Sequence, residues 1–214
     1  MNVVIFGDGP FASMVGFCLQ HDSRFLPIAF AVNAAFRTKD RHQDLPVHAF
    51  EELHRHFNPG DTAVAIAIGP HDGNRRRAAL LRNAVDRGFE TLTYVSTRSI
   101  TWPGLEIGRN SFVFEGTVVQ PFARIGSNTI VRSAVHISHH VEIEDDCFIS
   151  AGVCFGGGAK VGPRASIGLN ATIRDSIEIA EGCVVGAGSV VMADTEPDSV
   201  YAGVPARKLR TTTD

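Results

Sequence analysis

The chain has 214 residues, 44% of them hydrophobic, and 20 Lys and Arg against 23 Asp and Glu give a formal net charge of −3. That length allows one large domain or two small ones, and the near-neutral balance excludes the polybasic footprint of a nucleic-acid or anionic-membrane binder. No apolar run reaches transmembrane length, the N-terminus lacks a signal-peptide layout, and Cys18, Cys147, Cys154 and Cys183 show no CxxC spacing, which together predict a reduced, cytoplasmic protein.

Residues 2–6 are an apolar strand running into Gly7-Asp8-Gly9, and the stretch from Ala12 to Leu19 has helical character. Strand, glycine turn and helix in that order match the arrangement in which a phosphate approaches backbone amides at a helix N-terminus. A second strand, Pro27 to Val32, ends at Asn33, where a dinucleotide site would carry Asp or Glu. A third strand, Ala63 to Ile68, is closed by the turn Gly69-Pro70-His71-Asp72-Gly73; a helix from Asn74 to Arg87 and a fourth strand from Thr91 to Val95 come next. Alternating strands and helices over residues 1–100 predict a parallel α/β unit, Rossmann-like but about half of a full dinucleotide fold, with room for a nucleotide diphosphate. His71 and Asp72 follow a strand C-terminus, the ligand edge of such sheets. Arg75, Arg76 and Arg77 sit on consecutive helix positions that point in different directions, so the run reads as solvated charge.

Residues 96–104 form a junction without a Ser/Gly linker, which predicts that the front unit packs against the C-terminal half of the chain. From Ile107 to Val191 a branched or large apolar residue then recurs at every sixth position, fifteen times without a slip, and small or β-branched residues dominate four places after each. Gly follows the large residue at positions 108, 126, 156, 162, 168 and 186, which is read as the site where a turn needs a permissive backbone. Neither the 3.6 period of a helix nor the 2 period of a strand fits. A hexapeptide period specifies a parallel β-helix, three six-residue sides per 18-residue coil and five coils in all, over residues 101–196. Residues 197–214 form a C-terminal tail.

Three histidines, His136, His139 and His140, lie within five residues. The register puts His136 outward on a flat side and His139 and His140 at a corner. One coil later His139 stacks beneath Gly157, which leaves a notch beside an imidazole, flanked by the backbone of the Gly156-Gly157-Gly158 run. A second edge stacks Ala151, Leu169 and Ala187. A zinc site needs three converging imidazoles; His136 points away and no histidine follows His140, so no metal is expected.

With the repeat, the His-His corner and the glycine turn in hand, the sequence resembles the sialic acid O-acetyltransferase-like group of hexapeptide-repeat acyltransferases, which includes nucleotide-aminosugar N-acetyltransferases. The likeness rests on Ile5-Phe6-Gly7-x-Gly9, Ala67-Ile68-Gly69, Ser138-His139-His140-x-x-Ile143, Ile167-Gly168-x-Asn170-Ala171 and the tail Tyr201-Ala202-Gly203-Val204-Pro205-Ala206. The resemblance implies a left-handed coil, a homotrimer, and acetyl-CoA in a groove between neighbouring β-helices. It implies that His139 is the base, with Gly157, Leu169 and Ala187 lining the acetyl-CoA groove. It places Pro205, Arg207 and Lys208 on a tail over the CoA, and Gly7, Asp8, Gly9, Asn33, His71 and Asp72 at a nucleotide-sugar site. Relatives carry a carboxylate directly after the histidine; this chain has His140, so Glu142 is expected to orient the ring. The expected activity is acetyl transfer to the amine of a UDP- or dTDP-linked amino-deoxysugar, with sugar O-acetylation by the same residues and a non-catalytic trimeric scaffold as the alternatives.

Overall fold

The computed structural model describes residues 1–213. Its front unit is a six-stranded sheet, built from β1 (Asn2–Phe6), β2 (Leu26–Val32), β3 (Arg41–His42), β4 (Leu45–Ala49), β5 (Thr62–Ile66) and β6 (Glu90–Thr91), in the order β3-β4-β2-β1-β5-β6. All neighbours are parallel except β3 with β4. Val3, Val4, Ile5 and Phe6 are all buried, as a parallel strand covered on both faces requires. Helix α1 (Pro10–His21) begins with Pro at its first turn, where the missing N–H costs nothing, and buries Ala12, Val15, Gly16 and Leu19 along one stripe. It packs with Val3 and Ile5 on one face of the sheet. The short helix α2 (Leu53–His56) and helix α3 (Arg75–Asp86) serve the other face, where Leu53, Leu80, Leu81 and Ala84 meet Val4 and Phe6.

The fourth expected strand divides. Its first residues become β6, whereas β7 (Tyr94–Val95) leaves the front sheet and stacks on β9 (Phe112–Val113). The β-helix is thus already begun at residue 94 on one of its three sides.

From β8 (Glu106–Ile107) to β22 (Val190–Val191) run fifteen strands of two residues each. They stack in parallel at 18-residue intervals into three sheets, as in the series Val118, His136, Cys154, Thr172, Val190. In each strand the second residue points inward, and these residues form one continuous core with the small residues of the repeat. The tail continues the third side: β23 (Ser199–Gly203) pairs in parallel with the strand Val184–Val185 and folds back antiparallel to β24 (Ala206–Thr211).

The turn chemistry differs from expectation. The left-handed backbone falls three places after the large residue, at every sixth position from Gly104 to Gly188, including Asn110, Phe122, Asn128, His140 and Asp146. The glycines directly after the large residue serve close approach instead. A Cβ on Gly126 would stand 2.6 Å from the carbonyl carbon of Glu144 in the next coil, and one on Gly162 would stand 2.8 Å from the amide nitrogen of Glu181. Asn and Asp tolerate the left-handed region; Phe122 and His140 do so at a cost.

The front unit rests on the outer surface of the first coils. Phe112, Phe114 and Ile130 share one cluster with Val3, Ile5, Leu19 and Phe30. Arg77 bolts the two together. It is fully buried and donates from Nε to the Asn128 carbonyl (3.1 Å) and from Nη2 to the carbonyls of Asp146 (2.8 Å) and Cys147 (3.0 Å). For this arginine the solvated-charge reading fails. Three corner carbonyls converge on one point, and only a guanidinium fork matches them. Burial lowers its pKa to about 10, so it stays charged at neutral pH.

Candidate functional site

A cavity of about 320 Å³ opens at the C-terminal ends of β1, β2 and β5. Gly7, Asp8, Gly9, Asn33 and His71 line it, together with Phe36 and Arg76. Gly7 has φ +121°, and a Cβ there would sit 2.8 Å from the Ala67 carbonyl, so the turn between β1 and α1 admits only glycine. The N-terminus of α1 carries no side-chain cap, which leaves amide donors facing the cavity. Asp72 is not brought into this wall; its carboxylate lies 4.0 Å from Arg75 Nη1 on the exposed side of the turn. Arg76 is a lining residue, with its guanidinium 5.2 Å from the centre of the Phe36 ring.

Two charged residues that belong to no sequence motif shape this wall. The Lys39 ammonium lies 3.2 Å from the Asp8 carboxylate and 3.0 Å from His42 Nδ1, and His42 Nε2 in turn meets Ser13 Oγ at 2.7 Å. Since an ammonium can only donate, His42 accepts at Nδ1 and carries its proton on Nε2. Burial and the neighbouring Lys39 lower the His42 pKa and keep it neutral, against an opposing pull from Asp8. Glu51 accepts from Asn33 Nδ2 and from the Ala34 amide, both at 2.9 Å. This fixes the Asn33 amide so that its oxygen is left for the cavity. A carboxylate absent from position 33 is supplied from 18 residues away, and no local sequence signal reveals it.

The histidine corner lies on the β-helix. His139 and His140 are exposed, and His136 is half-buried in its strand, between Val118 and Cys154 in the ladder. A Cβ on Gly157 would stand 2.5 Å from His139 Cε1 and 2.8 Å from Nε2. The glycine therefore makes room for the imidazole itself, which lies against the Gly157 backbone. The His139 main chain is held on both sides: its amide donates to Gln120 Oε1 (2.9 Å), and its carbonyl accepts from the Gly158 amide (2.9 Å). The partner of His139 Nδ1 is His140 Nδ1 at 3.1 Å. Glu142 does not take the orienting position expected of it. It lines, with His140, a neighbouring cavity of about 480 Å³ that also includes Glu106, Arg124 and Phe122. Phe122, one coil below His140 in the register, has its ring centre 4.8 Å from that imidazole.

Leu169 and Ala187 are exposed and stacked, with the Gly188 amide donating to the Leu169 carbonyl at 2.7 Å. They follow strands of the third side, whereas His139 and Gly157 follow strands of the first. The two edges are thus different corners of one prism. Pro205 sits at the tip of the β23–β24 hairpin, exposed Arg207 is next to it, and Lys208 pairs with Glu196 at 2.6 Å. Among the described residues no group of three His, Cys, Asp or Glu is placed to hold a metal ion, and no helix is long and apolar enough to cross a membrane.

Comparison with known proteins agrees with the coil. A family model described as the hexapeptide repeat of succinyl-transferase matches residues 158–193. A serine acetyltransferase of Bacillus licheniformis is 31% identical over 115 residues, an alignment that spans 49% of this chain and 45% of that relative. Among solved structures, PerB from Caulobacter crescentus, in complex with CoA and GDP-perosamine, superposes with a TM-score of 0.85 at 25% identity, over 98% of this chain and 97% of its own. The acetyltransferase domain of PglB from Neisseria gonorrhoeae gives 0.85 at 24% identity, over 97% and 99%. The likeness is one of repeat and of fold: the family model matches part of the β-helix, the curated relative is matched over less than half its length, and the two solved structures share the fold of this chain from end to end.

Proposed function

We propose that the protein is an acetyl-CoA-dependent N-acetyltransferase acting on the amino group of a nucleotide-linked amino-deoxysugar. The observation that carries this reading is the exposed His139 imidazole seated against Gly157 at a corner of the β-helix, in a chain whose fold matches that of PerB with CoA and GDP-perosamine along nearly its whole length. The neutral amine attacks the thioester carbonyl, and His139 Nε2 takes the proton released from nitrogen. The backbone amide of Gly157 stands beside the site of the developing oxyanion. Collapse of the tetrahedral intermediate forms the amide and expels CoA thiolate, which recovers the proton from His139. No acyl-enzyme is required, since an amine is already a good nucleophile and positioning supplies much of the rate.

In this reading the front cavity holds the nucleotide, with Gly7, Gly9, Asn33 and His71 as its contacts and Asp8 as a residue whose charge must be neutralised; Asp72 belongs to the same turn. The His139–Gly157 edge of one chain and the Leu169–Ala187 edge of the next form the two walls of the CoA groove, with Pro205, Arg207 and Lys208 over it. Two different corners of a prism can face one another only across a subunit interface, which supports a homotrimer. The left-handed sense of the coil, the Rossmann-like character of the front unit and the division at residues 100 and 196 belong to the same reading. The four free cysteines support a reducing, cytoplasmic setting.

The test is thiol release from acetyl-CoA over a panel of UDP-, dTDP- and GDP-linked 3-amino and 4-amino sugars. Release with one acceptor, abolished in His139→Ala, is the expected result. Near-normal turnover by His139→Ala would remove the mechanism, and silence across the panel the activity.

A further inference from the structure

The cavity of about 480 Å³ at the histidine corner takes in His140, Phe122 and Gly104, successive positions of one corner, while Gly157 belongs to the coil above. Its lining divides by chemistry. Pro103, Pro121 and Phe122 offer no side-chain hydrogen-bonding group, whereas Glu106, Arg124 and Glu142 bring two carboxylates and a guanidinium. Within that polar set Glu106 and Arg124 engage each other at 3.1 Å. Glu142 stands between Arg124 and Lys160 in the ladder, yet among the described residues its carboxylate has no ion-pair or hydrogen-bond partner.

Phe122 is out of place as a structural residue. It occupies a left-handed corner, φ +67°, and is 74% exposed. Equivalent corners carry Asn110, Asn128 and Asn170, residues that adopt this backbone with less strain. The chain thus bears both backbone strain and an uncovered aromatic ring that fills no core, a combination that marks functional positions. The ring leans on the His140 imidazole, 4.8 Å between centres and 33° between planes. Gly104, one coil below, keeps the space beneath it open, since a Cβ there would meet nothing within 4 Å.

An apolar ring face beside an unengaged carboxylate is complementary to a pyranose, whose C–H face is apolar and whose hydroxyls donate. We propose that this cavity seats the acceptor sugar as a 6-deoxy amino hexose, with its C–H face and C6 methyl group on Phe122 and a ring hydroxyl donating to Glu142. This rests on the reading of His139 as the base of an acetyl transfer. The two substrates then approach that base from opposite coils, the thioester by way of Gly157 and the sugar by way of Phe122. A C6 hydroxyl in place of the methyl would be set against Phe122, Pro103 and Pro121, none of which can accept or donate through its side chain. The preference for a deoxysugar is therefore built into one exposed ring.

The decisive variant is Phe122→Asn, because it separates folding from recognition. Asparagine suits the left-handed corner, so the urea midpoint is expected to hold or rise while sugar binding falls. Saturation-transfer NMR on the full-length protein, with the methyl glycoside of 4-amino-4,6-dideoxyglucose as probe, reads binding without turnover. The C6 methyl protons should carry the strongest signal, and Phe122→Asn should remove most of it. With a nucleotide-linked acceptor in hand, Phe122→Asn and Glu142→Gln should each raise its KM by roughly tenfold at little changed kcat, while Glu178→Gln, farther along the same side, changes neither. The wild type should prefer that acceptor over its 6-hydroxy counterpart by roughly tenfold or more in kcat/KM, and Phe122→Asn should erase the preference. A methyl signal that is absent from the wild type or indifferent to Phe122→Asn overturns the proposal, as does an unchanged KM. A methyl signal lost in Phe122→Asn, without turnover on any acceptor, overturns the acetyl-transfer reading and supports the sugar site.

Discussion

Gly157 shows how a single absent methyl group makes a site. Its backbone is not in the left-handed region, so alanine would cause no local strain there, yet the added Cβ would press to 2.5 Å from His139 Cε1. Gly157→Ala should therefore fold as the wild type does, with an unchanged urea midpoint, while turnover falls by roughly a hundredfold for a displacement of the ring by about 1 Å. A lowered midpoint with normal turnover would show that the space serves packing instead. This pairing was legible in the sequence, because an 18-residue coil puts 139 under 157 whatever the neighbours do. The pairing of Lys39 with Asp8 was not, since it joins two loops that only the sheet brings together. An uncompensated Asp8 would repel a diphosphate at the glycine turn. Lys39→Met should accordingly weaken binding of GDP, UDP or dTDP, measured by calorimetry, far more than binding of the bare nucleosides. Asp8→Asn placed in the same chain should restore it; failure of the double variant to recover would remove the charge argument.

At the scale of the element, the repeat specifies its own coil, while the corners carry what the repeat does not announce. Asn110, Asn128 and Asp146 stand one above another at left-handed corners: Asn110 Nδ2 donates to Asn128 Oδ1 (2.7 Å), and Asn128 Nδ2 donates to Asp146 Oδ1 (2.6 Å). The upper end of this ladder meets Arg77 from helix α3, and the lower end accepts the Ile66 amide of β5 through Asn110 Oδ1 at 2.9 Å. The fifteen-fold period made the β-helix readable from residue 107 onward. Three adjacent arginines on a helix look alike in sequence, and only the converging carbonyls of Asn128, Asp146 and Cys147 single out the third. Arg77→Met should strand those carbonyls and also Asn74 Oδ1, which accepts from Arg77 Nη1 at 3.0 Å, at a cost of about 3 kcal/mol or more in urea unfolding. Arg77→Lys should recover little of it, because a single ammonium cannot reproduce the fork. An unfolding midpoint that does not move in Arg77→Met would mean that water replaces the guanidinium.

Across the whole molecule, acid should act in two steps, first on histidines within the front unit and then on the joint between the two units. Asp22, just past the end of α1, is the acceptor at that joint. It receives hydrogen bonds from Tyr94 (2.7 Å), Ser96 (2.6 Å), the Thr97 amide (3.2 Å) and the Thr97 hydroxyl. Partial burial works to raise its pKa, but the donors on Ser96, Thr97 and Tyr94 prevail and lower it to about 2. A carboxyl lowered in the fold binds its proton first in the unfolded chain. Its contribution is therefore complete above pH 3.8 and is lost as the pH falls toward 2. His42 and His48 act at a higher pH in the same direction. Burial comes first for both, followed by Lys39 for His42 and by His56 and Arg37 for His48, and each native pKa lies below the ordinary value of 6.5. The unfolded chain takes up these protons first too, so stability declines once the pH drops below 6.5. Thermal melts should then show two separate losses on acidification, one beginning below pH 6.5 and one below pH 3.8. Asp22→Asn should start lower at neutral pH, keep the first loss, lack the second, and converge with the wild type near pH 2. Parallel curves for the two proteins down to pH 2 would show that the hydroxyl cluster of Tyr94, Ser96 and Thr97 holds the joint without the charge.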